Sequence, residues 1–240
     1  MMRNFTQLLF TGGSGLLGRA FRNLMPEALY PTTSQFDVTD YSLMESWIRG
    51  RSIDVVLHAA AFTSPPKIDQ NPLRALEVNI VGTANVVRLC MALKARLVYL
   101  STDYVFRGDR GHYREDDEVY PVNKYAWSKL AGECAVRLYD NALIVRTSFG
   151  PDEFPFPKAF ADQWTSRQSV SNAARDILRA VESGLTGVLH VGGPRRTVLE
   201  YARSLNPATE IGSLSVKDVP FAVPTDTSLD TTRFLREIGD

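Results

Sequence analysis

A cluster of glycines near the start of the chain constrains the fold more than any other feature. Residues 6–18 read TQLLFTGGSGLLG, and an amphipathic run to Met25 follows. This pattern predicts a strand, a tight turn and a helix. Gly12 permits the turn, Gly15 lets the backbone approach a pyrophosphate, and Gly18 lets the helix pack closely on the strand. The free N–H groups at the helix start suit a phosphate, although a plain tight turn fits the same letters.

Apolar runs then alternate with helical patterns as far as Thr147. This alternation predicts an α/β fold, a Rossmann-type doubly wound parallel sheet with right-handed crossovers. Ligands of such sheets bind beyond the carboxyl ends of the strands, so the residues after each strand are site candidates. The predicted strands are 8–11, 27–30, 53–58, 96–101 and 142–147, and the predicted helices are 16–25, 42–49 (N-capped by Asp40), 72–94 and 121–139.

The texture of the sequence changes after Gly150. Residues 151–158, PDEFPFPK, are rich in proline and aromatic side chains and predict a connection full of turns. We therefore divide the chain into a dinucleotide-binding Rossmann domain, residues 1–150, and a small C-terminal lobe, residues 151–240, that partly returns to the main sheet. In the lobe we predict helices at 173–182, 197–205 and 231–238, and strands at 188–191 and 210–214.

Charge and cysteine content bound the function. Lys+Arg and Asp+Glu both number 27, so a net charge of zero gives no electrostatic basis for binding nucleic acid or an anionic membrane. Cys90 and Cys134 make neither a disulfide framework nor a metal site, and we expect both in the core. The N-terminal letters MMRNFTQ contain no apolar signal core. No run approaches about 20 apolar residues, so we expect a cytoplasmic protein.

Tyr125 and Lys129 are the first candidates for chemistry. They lie four residues apart on a predicted helix and share one face. A free phenol has a pKa of about 10, and an ammonium one turn away stabilises the phenolate and brings that pKa toward neutrality. A solvated Tyr–Lys pair fits the same spacing. Gly132, which costs helix stability, indicates close packing near by.

Thr102 is the second candidate. It stands in STDYVF, residues 101–106, at the end of a predicted strand. Its hydroxyl is suited to donate to a carbonyl oxygen, and that bond strengthens as the oxygen gains negative charge during hydride addition. A turn or helix-cap cluster is the alternative interpretation.

Together these motifs resemble the extended short-chain dehydrogenase/reductase superfamily, and within it the dTDP-4-dehydrorhamnose reductase family. The resemblance spans most of the chain, and STDYVF together with YAWSKLAGE is its most specific part. The matching segments are TGGSGLLG (11–18), DVTD (37–40), HAAAFT (58–63), EVNIVGT (77–83), STDYVF (101–106), YAWSKLAGE (125–133) and VRTS (145–148) and, more weakly, DQW (162–164), GVLHVGG (187–193) and SLDTTRF (228–234).

The resemblance implies an NAD(P)H-dependent reductase of a nucleotide-linked 4-keto-6-deoxy sugar, with residues 151–240 as its substrate lobe. It gives Tyr125 the role of proton donor, Lys129 that of tuning it, and Thr102 that of binding the carbonyl oxygen; Asp103 matches an active-site position. Asn79 matches an asparagine that shapes the catalytic helix, or is a satisfied buried amide. The expected cofactor contacts are Gly12, Gly15, Leu16, Leu17, Gly18, Asp37, Val38, Ala59, Ala60, Ala61, Thr63, Ser101, Tyr125 and Lys129.

The chain departs from the family pattern in the part that meets the substrate. It is shorter than is usual between Gly150 and Asp162, which leaves the identity of the sugar open. Four further departures are Phe149 for a tryptophan, Arg167-Gln168 for Pro-Thr, Ser64–Lys67 for an aspartate-containing segment, and Val223-Pro224 for Arg-Pro.

The type of nicotinamide cofactor depends on the residues after the second strand. An acid there grips the ribose 2′-hydroxyl and repels a 2′-phosphate. Residues 30–35, YPTTSQ, offer hydroxyls and no acid, and Arg19 lies just past the glycine turn. The sequence therefore favours NADP(H) over NAD(H), with Arg19 as a phosphate contact or, alternatively, a solvated helix residue.

Several residues keep two interpretations. Phe149 and Trp164 either stack on the substrate or belong to the core of the lobe. Arg195 and Arg196 either hold a pyrophosphate or form a solvated pair. His58 reads as a satisfied core histidine.

Two other functions stay open: a non-catalytic NAD(P)-binding regulatory subunit and a nucleotide-sugar epimerase. As partners we expect a nucleotide-sugar, no nucleic acid and no membrane, and we leave a homodimer open. We predict no metal site, since His112 and His190 lack companions at ligand spacing, and leave a metal requirement open.

Overall fold

The computed structural model describes residues 5–219 and 223–239. The first four residues of the predicted signal-free N-terminus and, in the lobe, residues 220–222 and 240 lie outside this range. The strands are β1 Leu8–Thr11, β2 Val55–His58, β3 Arg96–Thr102, β4 Ala142–Thr147, β5 Phe149–Gly150, β6 Lys158–Phe160, β7 Trp164–Thr165, β8 Gln168–Ser169, β9 Gly187–Val191, β10 Arg196–Thr197 and β11 Gly212–Leu214. The helices are α1 Leu16–Leu24, α2 Tyr41–Ile48, α3 Pro65–Gln70, α4 Pro72–Ala75, α5 Gly82–Leu93, α6 Lys124–Val136, α7 Val170–Glu182, α8 Val198–Leu205 and α9 Thr232–Ile238.

Five parallel strands form the central sheet in the order β1-β2-β3-β4-β9. Leu9 pairs with Val56, Val98 with Leu143, and Val145 with Leu189. Every residue of the first four strands is buried, as expected when helices cover both faces of a parallel sheet. The sheet thereby confirms the predicted α/β, doubly wound class.

The predicted second strand, 27–30, is reduced to a single parallel bridge between Leu29 and Leu9. Phe10 donates its N–H to the Leu29 carbonyl at 2.8 Å, on the edge of β1 opposite β2. Both edges of β1 are therefore paired, one with Leu29 and the other with β2, so the order of the chain across the sheet reverses at β1. Such a reversal creates the crevice in which open α/β sheets bind ligands.

Two apolar layers enclose the sheet. On one face Leu17, Phe21 and Ile177 bring α1 and α7 onto the strands. On the other face Met44 and Val86 bring in α2 and α5. The prediction that both cysteines are core residues is right for Cys90, which is buried, and wrong for Cys134, which is exposed.

The predicted long helix, 72–94, consists of α4, a π-helical turn Leu76–Val81 and α5. By length and composition alone, the stretch Pro72–Leu93 is long and apolar enough to cross a membrane. The sequence analysis did not predict such a stretch. Its most apolar window is 44% buried, and a core helix of a globular protein meets the same criterion. The preceding helix, α3, is not among the predicted helices.

The C-terminal third returns to the sheet through β9, which pairs with β4, and through α7. The remaining short strands pair two by two, β10 with β7, β11 with β6 and β5 with β8. The predicted helix start at 197 is a capping box, in which the Thr197 side chain and Glu200 bond each other's backbone N–H. These pieces stand beside the carboxyl ends of β3 and β4.

Candidate active site

A cleft of about 700 Å³ opens at the carboxyl ends of the first four strands. The loops that follow β1, β2, β3 and β4 line it side by side, because these strands are neighbours in the sheet. It brings together most of the predicted site. Its lining includes Gly12, Gly15, Leu16, Leu17, Asp37, Val38, Ala59, Ala60, Ala61, Thr63, Ser101, Thr102, Asp103, Tyr125, Lys129 and Phe149.

The glycine turn leaves room for a phosphate. Gly12 has φ of +80°, and a Cβ there would lie 2.8 Å from the Ala60 nitrogen. The first amides of α1 lack intrahelical acceptors, and no side chain of the described residues caps that end. Because bare amides and a close backbone are what a pyrophosphate requires, these residues fit the phosphates of a dinucleotide.

Gly18 and Arg19 stand behind the turn and do not line the cleft. A Cβ at Gly18 would lie 2.5 Å from the Gly13 Cα, so this glycine serves the packing of helix on turn. The exposed Arg19 donates from Nη1 to the Ser14 carbonyl at 2.8 Å. Arg19 thus steadies the turn from outside.

A buried polar chain underlies the loop after β2. The Ala60 N–H donates to Thr11 Oγ1 at 3.2 Å, and Thr11 Oγ1 lies 2.8 Å from His58 Nδ1. His58 Nε2 lies 3.1 Å from Thr83 Oγ1. Burial lowers the pKa of His58 to about 3, so the ring is neutral. This is the satisfied core histidine that the sequence predicts; Thr11 and Thr83 were not recognised.

Asn79 joins the same loop to the helix that carries Tyr125. Its Oδ1 accepts from the Phe62 N–H at 2.7 Å, while Nδ2 donates to the Phe62 carbonyl at 2.9 Å and to Ser128 Oγ at 2.8 Å. Ser128 in turn donates to the Tyr125 carbonyl at 2.7 Å. Asn79 is therefore both a satisfied buried amide and a brace for the helix, so its two interpretations describe one arrangement.

Helix α6 begins at Asn123, whose side chain accepts from the Ala126 N–H at 2.8 Å. This cap places Tyr125 in the first turn and Lys129 one turn later. The Lys129 ammonium is buried and lies 4.1 Å from the centre of the Tyr99 ring. A Cβ at Gly132 would lie 2.3 Å from the Tyr99 hydroxyl. The close approach that Gly132 predicts is thus an approach of the Tyr99 ring.

The pKa shifts differ from the sequence prediction. Burial raises the pKa of Tyr125 well above its usual value, against a lowering by the Thr102 hydroxyl, and Asp103 raises it further. Burial lowers the pKa of Lys129 to about 7, against a raising by Glu133. The expectation that Lys129 brings the phenol toward neutrality was wrong here, because desolvation outweighs any neighbouring charge.

Asp103 is buried at the end of β3 between two hydroxyls. Thr102 Oγ1 donates to Oδ1 at 3.1 Å, and Thr227 Oγ1 donates to Oδ2 at 2.7 Å. Burial raises the pKa of Asp103 to about 6, although both hydroxyls and the charge of Arg167 lower it. Thr227, which the sequence did not single out, ties the last part of the chain to the cleft.

The family described as the RmlD substrate-binding domain matches residues 6–178. The chain belongs to this family. The match confirms the resemblance that the motifs predict.

Several named relatives of this RmlD-family chain are reductases. A dTDP-4-dehydrorhamnose reductase of Mycolicibacterium smegmatis is 34% identical over 208 residues, an alignment that spans 77% of this chain and 63% of that protein. A hypothetical dTDP-4-dehydrorhamnose reductase from Sulfolobus tokodaii superposes with a TM-score of 0.86 at 30% identity, covering 96% of this chain and 94% of the other. The Bacillus anthracis dTDP-4-dehydrorhamnose reductase, solved in complex with NADP, gives a TM-score of 0.85 at 26% identity and coverages of 98% and 92%.

The far wall of the cleft contains residues outside the family pattern. Phe149 lines the cleft, while Trp164 does not: the Arg195 guanidinium lies 3.9 Å from the centre of the Trp164 ring. Arg195 donates from Nε and Nη2 to Asp226 Oδ2 at 2.9 and 2.7 Å. Trp164 and Arg195 therefore stabilise the lobe, and their interpretation as ligand contacts finds no support in this arrangement.

Arg196 also points elsewhere, since its Nη1 donates to Ser204 Oγ at 2.9 Å. The lining further contains residues that sequence reasoning missed as ligand contacts. They are Thr11, Pro31, Thr33, Phe36, Pro65, Arg74, Val78, Leu100 and Arg167.

A buried ion pair holds together the elements that carry the candidate site. Arg146 donates from Nε and Nη2 to the two oxygens of Glu133 at 3.0 and 2.9 Å, and both side chains are at most 1% exposed. Ser101 Oγ donates to Glu133 Oε1 at 2.5 Å. The pair anchors α6 to β3 and β4. Among residues 5–219 and 223–239, no group of three or more His, Cys, Asp or Glu is placed to hold a metal.

Proposed function

We propose that this chain is an NAD(P)H-dependent reductase of a keto-sugar linked to a nucleotide, of the 4-keto-6-deoxy type for which its relatives are named. The observation that carries the proposal is the convergence of Thr102, Tyr125 and Lys129 in one cleft with the bare amides at the start of α1. An oxygen-activating set and a phosphate site in one cleft are what carbonyl reduction requires.

A bound reduced nicotinamide supplies a hydride. The amides of Gly15 to Leu17 hold the pyrophosphate, and Ala59 to Thr63 line the ribose and nicotinamide side. Tyr125 is protonated at neutral pH, because burial raises its pKa, and donates its proton to the carbonyl oxygen as that oxygen gains negative charge.

The Thr102 hydroxyl rotates from Asp103 to the same oxygen and stabilises its charge. The Lys129 ammonium lies one turn from Tyr125 and holds ribose hydroxyls.

Residues 151–240 serve as the substrate lobe of a dinucleotide-binding domain, residues 1–150. In this division β9 and α7 belong to the lobe in sequence, but β9 is a strand of the main sheet and α7 packs against that sheet. We place the protein in the cytoplasm, with a nucleotide-sugar as its partner.

The cofactor proposed is NADP(H). No acid stands at residues 30–35, the segment where an acid would oppose a 2′-phosphate, and Thr33 of this segment lines the cleft. Titration of the protein with NADPH and NADH tests this directly. Tighter binding of NADPH is expected, and equal or tighter binding of NADH would contradict it.

Loss of nicotinamide absorbance with dTDP-4-dehydro-6-deoxy sugars tests the reductase. Tyr125→Phe should reduce kcat at least about 100-fold, whereas the matched variant of the exposed Tyr120, Tyr120→Phe, should keep it. Tight NADPH binding without reduction of any sugar would support the regulatory subunit instead. A change of product stereochemistry without net cofactor consumption would support the epimerase.

A further inference from the structure

Arg167 is a cation in the cleft that the chemistry above does not use. It lies between β7 and β8 and lines the cleft. Its backbone N–H donates to Thr165 Oγ1 at 3.0 Å, which fixes the loop, and Nε donates to Ser148 Oγ at 3.4 Å. The side chain is therefore held at the cleft by neutral groups.

The charge of Arg167 has no carboxylate of its own. Within the described residues no Asp or Glu oxygen lies within 4.0 Å of its guanidinium, whereas Arg146 and Arg195 each bond a carboxylate directly. The charge of Asp103 reaches it, but Asp103 is already bonded by Thr102 and Thr227. A half-buried guanidinium with free N–H groups is suited to a ligand oxyanion, which an arginine fork binds in bidentate fashion.

The cofactor's pyrophosphate is not that oxyanion. The glycine turn follows β1, whereas Ser148 and Arg167 stand at the end of β4, three strands away in the sheet. Strands in a sheet are about 4.8 Å apart, so the two places are separated by about 14 Å. The anion at Arg167 therefore belongs to the second ligand of the cleft.

We propose that Arg167 binds an anionic group of the sugar-side ligand, either the diphosphate of a nucleotide or a carboxylate on the sugar. This inference rests on the proposed function for the existence of a second ligand. It identifies the substrate as an anion whose charge lies beside Thr102 and Tyr104, on the wall where the chain departs from its family.

Direct binding separates this inference from turnover. Thymidine diphosphate, thymidine and glucuronate are titrated into the NADPH-saturated protein by calorimetry, using wild type, Arg167→Gln, Arg167→Lys and, as a matched control, the remote exposed Arg49→Gln.

Arg167→Gln should weaken the binding of one anion at least about tenfold, the equivalent of one charge-assisted hydrogen bond. Thymidine should be unaffected, and NADPH should bind within about twofold of wild type. Weaker binding of thymidine diphosphate would identify a diphosphate as the group that Arg167 binds, and weaker binding of glucuronate would identify a carboxylate. Arg167→Lys should retain part of the affinity as a point charge.

Unchanged binding of both anions in Arg167→Gln would overturn the inference, and so would a parallel loss of NADPH affinity, which would place Arg167 in the cofactor site. These outcomes do not depend on catalysis. A chain that reduces no sugar but loses anion binding in Arg167→Gln contradicts the reductase alone. A chain that reduces sugars but binds both anions equally well with and without Arg167 contradicts this inference alone.

Discussion

Asn79 Nδ2 and Ser128 Oγ, from two different helices, lie 2.8 Å apart in a fully buried hydrogen bond. Through this contact the loop after β2, held at Phe62, and the helix that carries Tyr125 are fixed relative to each other. The π-helical turn at Leu76–Val81 contains Asn79. A π-turn frequently marks a functional position, because it re-aims one side chain out of the regular ladder.

Asn79→Ala should lower the free energy of unfolding by about 1–3 kcal/mol, since the Phe62 N–H loses its buried acceptor. The gain in Tm on adding NADPH should also shrink, because Ala59 to Thr63 lose their support. Thermal denaturation with and without NADPH measures both effects. The exposed Asn172→Ala is the control, and equal behaviour of the two variants would show that Asn79 braces nothing.

Gly132→Ala should destabilise the protein by about 1–3 kcal/mol through overpacking against Tyr99, even though alanine favours a helix by about 1 kcal/mol. The new Cβ would lie 2.3 Å from the Tyr99 hydroxyl. Denaturant unfolding of Gly132→Ala, Tyr99→Phe and the double variant measures the coupling. Part of the loss should be recovered in the double variant, and strict additivity would rule out the contact as its cause.

NADPH binding should weaken as the pH rises through about 7, the value to which burial lowers the pKa of Lys129. The protonated ammonium is the form that holds ribose and phosphate oxygens, so the ligand favours the charged state. Fluorescence titration between pH 6 and about 8.5 tests this, a window that brackets the shifted pKa. Lys129→Met should bind more weakly and lose this slope; a slope that persists in Lys129→Met would assign it to another group.

Asp103→Asn should gain stability relative to wild type as the pH rises. The pKa of Asp103 is raised from 3.8 to about 6, so the folded state binds the proton more tightly than the unfolded state. The Asp103 carboxyl makes its full contribution to the free energy of unfolding below the unfolded-state pKa of 3.8, and this contribution is lost as the pH rises through about 6.

The stability difference between Asp103→Asn and wild type should therefore change by on the order of 2 kcal/mol between acid and neutral pH. Denaturant unfolding near pH 4.5 and 7.5, on either side of the shifted pKa, measures it. The exposed Asp116→Asn provides the comparison, and the same pH dependence in both variants would exclude Asp103 as the source.

The sequence predicts the sheet and the glycine turn well because these depend on local patterns. Continuous apolar runs and the glycine turn place β1 to β4 and α1, and Asp40 accepts from the Leu43 N–H as a predicted cap does. The predicted strand at 27–30 is reduced to a single bridge, because Pro31 ends the pairing. The apolar runs, the glycine turn and the cap each lie within a few residues and need no tertiary contact.

The parts that the sequence misses depend on contacts between distant residues. Thr227 meets Asp103 across 124 positions, and no periodicity links them. Trp164 has two interpretations in the sequence, a ligand contact or the core of the lobe, and only its contact with Arg195 favours the second. The prediction for the pKa of Tyr125 is wrong for the same reason, because this pKa depends on desolvation, which a sequence pattern does not report.

The hydrogen bond from Thr227 to Asp103 also has a consequence for biosynthesis. A ribosome adds about 5–20 residues per second, so Thr227 is made roughly 6–25 seconds after Asp103. For part of that interval the nascent chain already contains β1 to β4, but throughout it lacks the hydroxyl that completes the environment of Asp103. The segment that carries the glycine turn and the first four strands is therefore complete before the hydroxyl that bonds Asp103 is made, within the synthesis of a single molecule.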